Sequence, residues 1–284
     1  DSSRGRDVTS ISVTAFSDYL TCPYRFYLRH ILRYRPLDDS GGELAANQFG
    51  DLIHNALDRY GNDDARRVDA DPAKIKSLML DHLHDYARQW YGDSATTSVA
   101  LQVAQAERRL EFVAQRQAER IAAGWRIKHA EISAGEQQRS GIEVDGRWMT
   151  INGRIDRIDH HPDSGRWAIL DYKTHGTPPE KTHLKKTKDG IEWHELQLPL
   201  YRIMAPCLGI DADPKEIELG YFNISQKDAE TKINISHFDE ALMVQAQAQV
   251  VDCIRGIWAG KFEPTSETVR YDDYDMILQT GVAN

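Results

Sequence analysis

A carboxylate and an amine end an apolar stretch in the segment "ILDYKTH", residues 169–175. The two apolar residues that open this segment are typical of a buried strand. Because side chains alternate across a strand, Asp171 and Lys173 share one face, while Tyr172 points to the other. An exposed strand end with two compensating charges would explain the pair, and so would a catalytic site. The rest of the sequence has to decide between them.

A second carboxylate lies one hairpin earlier in the chain. Asp156 stands in "INGRIDRID", and a turn over 160–166 would bring the end of its strand beside Asp171. Two carboxylates at one point repel each other unless a cation lies between them, and oxygen ligands suit Mg²⁺ or Mn²⁺. The backbone carbonyl of Tyr172 could complete such a site. Lys173 could hold an attacking water or stabilise charge on a phosphate.

The elements that must position these residues follow from the hydrophobic period, which changes near Trp125. Helical spacing predicts helices over 12–31 with a break at Pro23, over about 43–61, over 73–92 and over about 98–123. After Trp125 the pattern predicts three hairpin-linked strands, over 125–133, 147–159 and 166–174. A loop over 176–192 and a helix over 193–205 follow, and then a further strand over 216–224 and a closing helix over 238–259. This order predicts an α/β or α+β sheet domain.

Length and composition are those of an ordinary globular protein of 284 residues. We expect one domain over 11–284 with a helical insertion at about 62–123, after a linker or disordered start over 1–10. The formal net charge of −9 predicts no general attraction to nucleic acid, so any basic surface must be local. Three widely spaced cysteines favour a reducing, cytoplasmic compartment. No apolar run has the length of a membrane span, and no signal peptide is visible.

Five stretches resemble one nuclease family in their order along the chain, from residue 12 to about residue 201. They are "SVTAFSDYLTCPYRFYL", "GDLIH", "GRIDRID", "LDYKT" and "LQLPLY". Asp156 with Asp171-Tyr172-Lys173 resembles the D…(D/E)xK signature of the PD-(D/E)xK nuclease superfamily. More narrowly, the chain resembles its RecB-like branch, found in the RecBCD and AddAB helicase–nucleases and in CRISPR-associated exonucleases.

The resemblance implies a fold and an activity. The fold would be a restriction-endonuclease-like α/β core, with a central mixed β-sheet flanked by helices and a helical N-terminal elaboration. The activity would be that of a divalent-metal-dependent DNA nuclease, an exonuclease of DNA repair or recombination, which hydrolyses phosphodiester bonds with metal-activated water. The cofactor would be Mg²⁺, with Mn²⁺ as an alternative.

Metal ligands can be carried over residue by residue. His54 matches the histidine of the family's GxxxH helix, one turn after Gly50, although a lone histidine at the edge of an apolar stripe is more often structural. The resemblance implies that His54, Asp156, Asp171 and the Tyr172 carbonyl hold the metal, and that Lys173 acts in catalysis with Asp156 and Asp171. Asp159 is a rival to Asp156 near the turn, and could instead be a salt-bridge partner. Glu131 could be a further ligand, or an outward-facing strand residue.

Other segments are candidates for DNA contacts. Gln197 and Tyr201 match the family's QxxxY element and share one helix face, where Gln197 would steady the site and Tyr201 would contact DNA. Two local basic stretches could bind phosphates without reading sequence, and the residues concerned are Arg25, Arg29, Lys181, Lys185 and Lys186. The lysine-rich segment could equally be a solvated loop.

The chain departs from the family pattern at its cysteines. Many AddB-type and CRISPR-associated relatives hold an iron–sulfur cluster with four cysteines, and here only Cys22 stands at a matching position. We therefore expect no cluster. No GxxxxGK[ST] loop is present either, so a helicase partner would lie on another chain or on a missing part of this one. Two other functions fit part of the pattern: a catalytically inactive DNA-binding or scaffolding module, and an unrelated metal hydrolase with a small substrate.

Overall fold

Nine strands occur in the residues that the computed structural model describes, which are 2–34, 46–92, 96–188 and 190–265. They are β1 (Ser10–Ser12), β2 (Arg126–Ala134), β3 (Gly141–Val144), β4 (Arg147–His161), β5 (Arg166–Lys173), β6 (Leu184–Thr187), β7 (Gly190–Trp193), β8 (Glu218–Asn223) and β9 (Lys232–Ile235). Seven of them form one sheet, and β6 pairs with β7 in a separate hairpin.

Helices occupy most of the first half of the chain and cover both faces of the sheet. They are α1 (Val13–Thr21), α2 (Pro23–Phe26), α3 (Ala46–Gly61), α4 (Pro72–Tyr91), α5 (Thr97–Ala122), α6 (Pro179–His183), α7 (Gln197–Met204) and α8 (Glu240–Trp258). The predicted break at Pro23 is confirmed, because Cys22 is extended between α1 and α2 and Pro23 opens the next helix. No helix in the described ranges is long and apolar enough to cross a membrane.

The long strand β4 is the centre of the sheet. Its first half pairs with β1 in parallel and with β3 in antiparallel fashion, and its second half lies between antiparallel β2 and β5. Beyond β5 come parallel β8 and then antiparallel β9. The predicted hairpin-linked strands correspond to β2, β4 and β5. The sheet is mixed as expected, because two of its pairings are parallel.

Alternation along β5 divides its side chains between two apolar layers. Ile169 packs with Tyr221 of β8 in the layer that contains α1, α7 and α8. Tyr172 packs with Phe222 of β8 in the layer that contains α3, α4 and α5. The chain therefore has the α/β fold that the resemblance implied, a mixed sheet with helices on both faces, and the end of β5 lies between the two layers.

Two segments differ from their sequence-based description. The stretch 1–10, interpreted as a linker or disordered start, holds a 3₁₀ helix at Ser2–Asp7 that contacts α8. The stretch 176–192, expected to be a loop, instead forms α6 and the β6–β7 hairpin. The physical reason lies in His183, which is fully buried and ties this segment to the sheet through a hydrogen bond to Tyr221. The start of the helix expected from residue 43 lies outside the described residues.

Candidate active site

A cleft of about 680 Å³ opens at the end of β5, between the first turn of α1, the helix α3 and the start of α7. The structure brings most of the sequence-predicted site residues to its walls, namely His54, Asp156, Asp171, Tyr172, Lys173, Gln197 and Tyr201. Gly50 also lines the cleft, and a Cβ added there would meet open space. The glycine thus leaves room beside His54.

Three ligand-type side chains converge at one end of the cleft. His54 Nδ1 lies 3.7 Å from Asp156 Oδ2 and 3.6 Å from Glu131 Oε1. One ligand atom from each of the three residues falls within 4.8 Å of the other two. A nitrogen and two carboxylates at this spacing form a donor set suited to Mg²⁺ or Mn²⁺.

Glu131 lies on β2 between Ala130 and Ile132, which pair with Arg157 and Ile155 on either side of Asp156, and its backbone departs from regular strand geometry. Its φ is +51°, in the left-handed region that side chains other than glycine rarely adopt. Such strain concentrates at functional sites, where the surrounding structure holds it in place. Glu131 Oε2 lies 2.7 Å from Arg154 Nε as an ion pair, and neither of the two buried carboxylate oxygens has a hydrogen bond of good geometry among the described residues. An unpaired buried carboxylate oxygen beside His54 is suited to bind a cation.

The negative charges of the cluster also favour a bound cation. Burial, followed by the nearby Asp171 carboxylate, raises the pKa of Asp156 to about 7. Burial alone would lower the pKa of His54, but Glu131, Asp156 and Asp171 raise it overall. Three carboxylates thus act on one partly buried histidine, and a bound divalent cation would reduce their mutual repulsion. The residues present fit such an ion.

Asp171 lies beside this cluster and is held by a different set of partners. Its Oδ2 is 2.6 Å from Lys173 Nζ, and its Oδ1 accepts hydrogen bonds from Gln197 Nε2 (2.8 Å) and Tyr201 OH (3.2 Å). The group of three converging ligand atoms therefore contains Glu131, where the sequence favoured Asp171. Tyr172, the residue after Asp171, connects Asp171 to this ligand group, because its backbone N–H donates to Asp156 Oδ2 at 2.7 Å.

Lys173 is held as a cation at the end of β5. Burial would lower its pKa, but Asp171 outweighs that effect and the pKa is raised. Its Nζ donates to Gln197 Oε1 at 2.9 Å and lies 5.3 Å from the ring centroid of Tyr221. The Tyr221 hydroxyl is in turn 2.7 Å from His183 Nε2. The ammonium group thus has a fixed position that faces the cleft.

Behind the cleft, three arginines connect the sheet to α5: Arg109, Arg120 and Arg157. Arg109 Nη1 donates to the carbonyl oxygens of Thr174 (2.8 Å) and Ile224 (3.2 Å), which follow the ends of β5 and β8. Arg157 and Arg120 both bond to the fully buried Asp159. The structure thus makes Asp159 a salt-bridge partner rather than a rival of Asp156.

The basic residues proposed for DNA contacts lie elsewhere. Arg25 and Arg29 approach opposite oxygens of Asp18, at 3.6 and 3.3 Å, so this carboxylate offsets part of their charge. Lys181 is exposed on α6, and Lys185 and Lys186 are exposed on β6. None of these five side chains is among those that line the cleft.

Sequence reasoning missed Arg154 and Arg109. Arg154 lies in the quoted "GRIDRID" stretch, but nothing in its spacing sets it apart from other strand arginines. Arg109 could have been found, because it lies within the apolar stripe of α5. An arginine on a buried helix face needs a buried hydrogen-bond acceptor.

Comparisons with known proteins agree with this fold. The chain is 25% identical over 182 residues to an ATP-dependent helicase/deoxyribonuclease subunit from Carboxydothermus hydrogenoformans, a match that covers 58% of this chain and 16% of that protein. A crystal structure of a candidate exonuclease from Eubacterium rectale has the same fold, with a TM-score of 0.50, 16% identity and coverage of 96% of this chain and 94% of the other. The family model of the PD-(D/E)XK nuclease superfamily matches residues 10–269. The chain therefore belongs to the PD-(D/E)XK nuclease superfamily.

Proposed function

We propose that this protein is a divalent-metal-dependent deoxyribonuclease that acts as an exonuclease in DNA repair or recombination. The observation that carries the proposal is the presence, in one cleft, of a cation-binding cluster and a fixed ammonium group. His54, Glu131 and Asp156 form the cluster, and Lys173 is held beside it by Asp171. A surface ion pair would not need three further ligand-type groups around it.

We assign the metal to His54, Glu131 and Asp156, with Asp171 and the Tyr172 carbonyl as neighbouring oxygen donors. When bound, a Mg²⁺ or Mn²⁺ ion would lower the pKa of a coordinated water and stabilise negative charge on a phosphate. Tyr172 supports this arrangement from behind, because its N–H fixes Asp156 and its ring lies edge-on to His54 at a centroid distance of 5.6 Å. These contacts orient the ligands before substrate arrives.

The remaining polar groups would act on the scissile phosphate. The oxygen of an attacking water would form a bond to phosphorus as the bond from phosphorus to the 3′-oxygen breaks. The water would lose one proton to solvent and the 3′-oxygen would take one from solvent, so that the products are a 5′-phosphate and a 3′-hydroxyl. Lys173 would donate to a non-bridging phosphate oxygen, where charge builds up in the transition state. Gln197 and Tyr201 would keep Asp171 and Lys173 in place, because both contact Oδ1 of Asp171. The apolar layer behind β5 keeps this arrangement rigid.

DNA as the substrate is supported by the likeness to a protein named as a deoxyribonuclease subunit. That protein's name also includes a helicase, so we propose that this nuclease works with a helicase on another chain or on a further part of its own. The exposed lysines of α6 and β6, Lys181, Lys185 and Lys186, would bind the backbone of DNA outside the cleft.

Two DNA substrates test the proposal. The protein is incubated with end-labelled linear DNA and with closed circular DNA of the same sequence, with Mg²⁺, with Mn²⁺ and with a chelator. We expect mononucleotides or short products from the linear DNA only, and none with the chelator. Cleavage of the closed circle would contradict exonuclease action, and cleavage that persists with the chelator would contradict the metal-dependent mechanism.

A further inference from the structure

An aromatic surface lies beside the cluster that contains His54. Tyr86, near the end of α4, lines a smaller cavity of about 170 Å³ together with His54, Asp51 and Arg154. Trp90 is one helical turn further along α4, and its ring centroid is 5.8 Å from that of Tyr86. The two rings therefore form a short path that leads outward from His54.

Among the described residues, Trp90 makes one aromatic contact, with Tyr86, and is otherwise largely open to solvent. Its side chain is 65% exposed, the largest fraction among the large hydrophobic residues that the structure describes as exposed. Four of the six tryptophans are buried in the core, at positions 125, 167, 193 and 258. The remaining one, Trp148, is 45% exposed and would touch a Cβ added at Gly141, so it covers the backbone of β3.

The charges around this surface favour the flat face of a base over a phosphate. Asp51 lies on the neighbouring helix α3, close enough to Tyr86 to affect its charge. Burial, and after it the Asp51 carboxylate, raises the pKa of the Tyr86 phenol. A carboxylate there repels phosphate oxygens, whereas the π-face of an unpaired base meets no such penalty. Arg154 lines both cavities with a largely exposed side chain, and provides a positive charge between the aromatic pair and the cleft.

We propose that Tyr86 and Trp90 form a stacking site for unpaired bases of a single-stranded DNA end that enters the cleft. This proposal rests on the nuclease function proposed above and names the form of its substrate. Two rings four residues apart on a helix are offset by about 6 Å along its axis, a distance that two bases of an extended strand can span. Double-stranded DNA keeps its bases inside the duplex and could not use the site.

Two oligonucleotides of equal charge test the proposal. One is a 12-mer of thymidine, and the other has the same backbone with abasic positions, so only stacking differs between them. Binding is measured by fluorescence anisotropy with a chelator present, which blocks metal-dependent cleavage. We expect the native protein to bind the thymidine 12-mer about 5- to 100-fold more tightly than the abasic one, as base–aromatic stacking predicts.

The variants identify the residues responsible. Trp90→Ala and Tyr86→Ala should lose most of this preference, Trp90→Phe should retain part of it, and the control Trp148→Ala should keep it in full. Urea unfolding of each variant verifies that the fold persists. If Trp90→Ala keeps the full preference, or if Trp148→Ala loses it, the proposal is wrong. Cleavage of linear DNA is assayed in parallel. Native protein that cleaves DNA without preferring bases refutes the stacking site alone, and native protein that prefers bases without cleaving refutes the nuclease function alone.

Discussion

Arg109 of α5 donates a hydrogen bond to the carbonyl oxygen of Thr174, the residue that follows Lys173. The same nitrogen also donates to the carbonyl oxygen of Ile224, and the guanidinium lies 4.6 Å from the ring centroid of Phe49 on α3. A single side chain of α5 thus holds the ends of two neighbouring strands. The position of Lys173 in the cleft depends on a residue that does not line it.

Replacement of Arg109 should therefore reduce both stability and activity. Arg109→Ala leaves the carbonyls of Thr174 and Ile224 without a donor, so we expect the free energy of unfolding to fall by roughly 2–4 kcal/mol. DNA cleavage should fall as well, under conditions where the variant is still folded. Urea unfolding and a cleavage assay give the two quantities. The control is Arg108→Ala, since Arg108 is the exposed neighbour on the same helix. Equal effects at both positions would show that the contact is unimportant.

Lys173→Ala should nearly abolish cleavage while DNA binding changes little. In the proposed mechanism its charge acts on the phosphate in the transition state, and loss of one such donor lowers the rate on the order of 100–1000-fold. Single-turnover cleavage and anisotropy separate rate from affinity. Lys227→Ala is a suitable control, because Lys227 is largely exposed and pairs only with Glu230 among the described side chains. A Lys173→Ala protein that cuts at a near-native rate would refute the proposed mechanism.

Metal affinity should depend on Asp156 and Glu131. Asp156→Asn and Glu131→Gln each remove one charged ligand, and we expect Mn²⁺ affinity to fall by at least about 10–100-fold, the loss that changes around metal ligands typically cause. Isothermal titration calorimetry measures it without any need for activity. Asp163→Asn, at the exposed turn between β4 and β5, is the matched control. Native affinity in Glu131→Gln would leave Asp171 as the better candidate for the third ligand.

Acid should destabilise the protein through His183. Burial lowers the pKa of this imidazole to about 4, below its ordinary value of 6.5, so the folded state binds the proton less readily than the unfolded state. Stability from this group is complete above pH 6.5 and is lost as pH falls toward 4, by about 3 kcal/mol in all. Urea unfolding between pH 7.5 and 4.5 should show a steeper decline for the native protein than for His183→Gln. His237→Gln, which alters an exposed histidine, should follow the native curve.

Local patterns were enough to predict the end of β5. The apolar stretch and the turn before it indicated a hairpin, and in that hairpin Asp171 and Lys173 had to share a face. His54 and Gln197 were found through family motifs, and the structure places both in the cleft. These residues could be predicted because each depends on the regular period of the one element that carries it.

Glu131 shows where this reasoning fails. The sequence left Glu131 either a ligand or an outward-facing strand residue, and no local pattern indicated a φ of +51° within β2. Arg109 and His183 were missed for a related reason: their roles depend on acceptors distant in sequence, at Thr174 and Tyr221. The β6–β7 hairpin was likewise not predicted, because its own residues are mostly charged and the contact that holds it, between His183 and Tyr221, is distant in sequence.

The pairing of β1 with β4 has a consequence for the order of folding. Ser10 aligns with Thr150, so the short strand that precedes α1 can pair with β4 only after helices α3, α4 and α5 have been synthesised. Contacts between such distant parts of a chain form slowly, because a long loop must close first. The wall of the cleft formed by the first turn of α1 would then be among the last parts to dock. A newly synthesised chain would therefore lack a complete cleft until most of its sheet is in place.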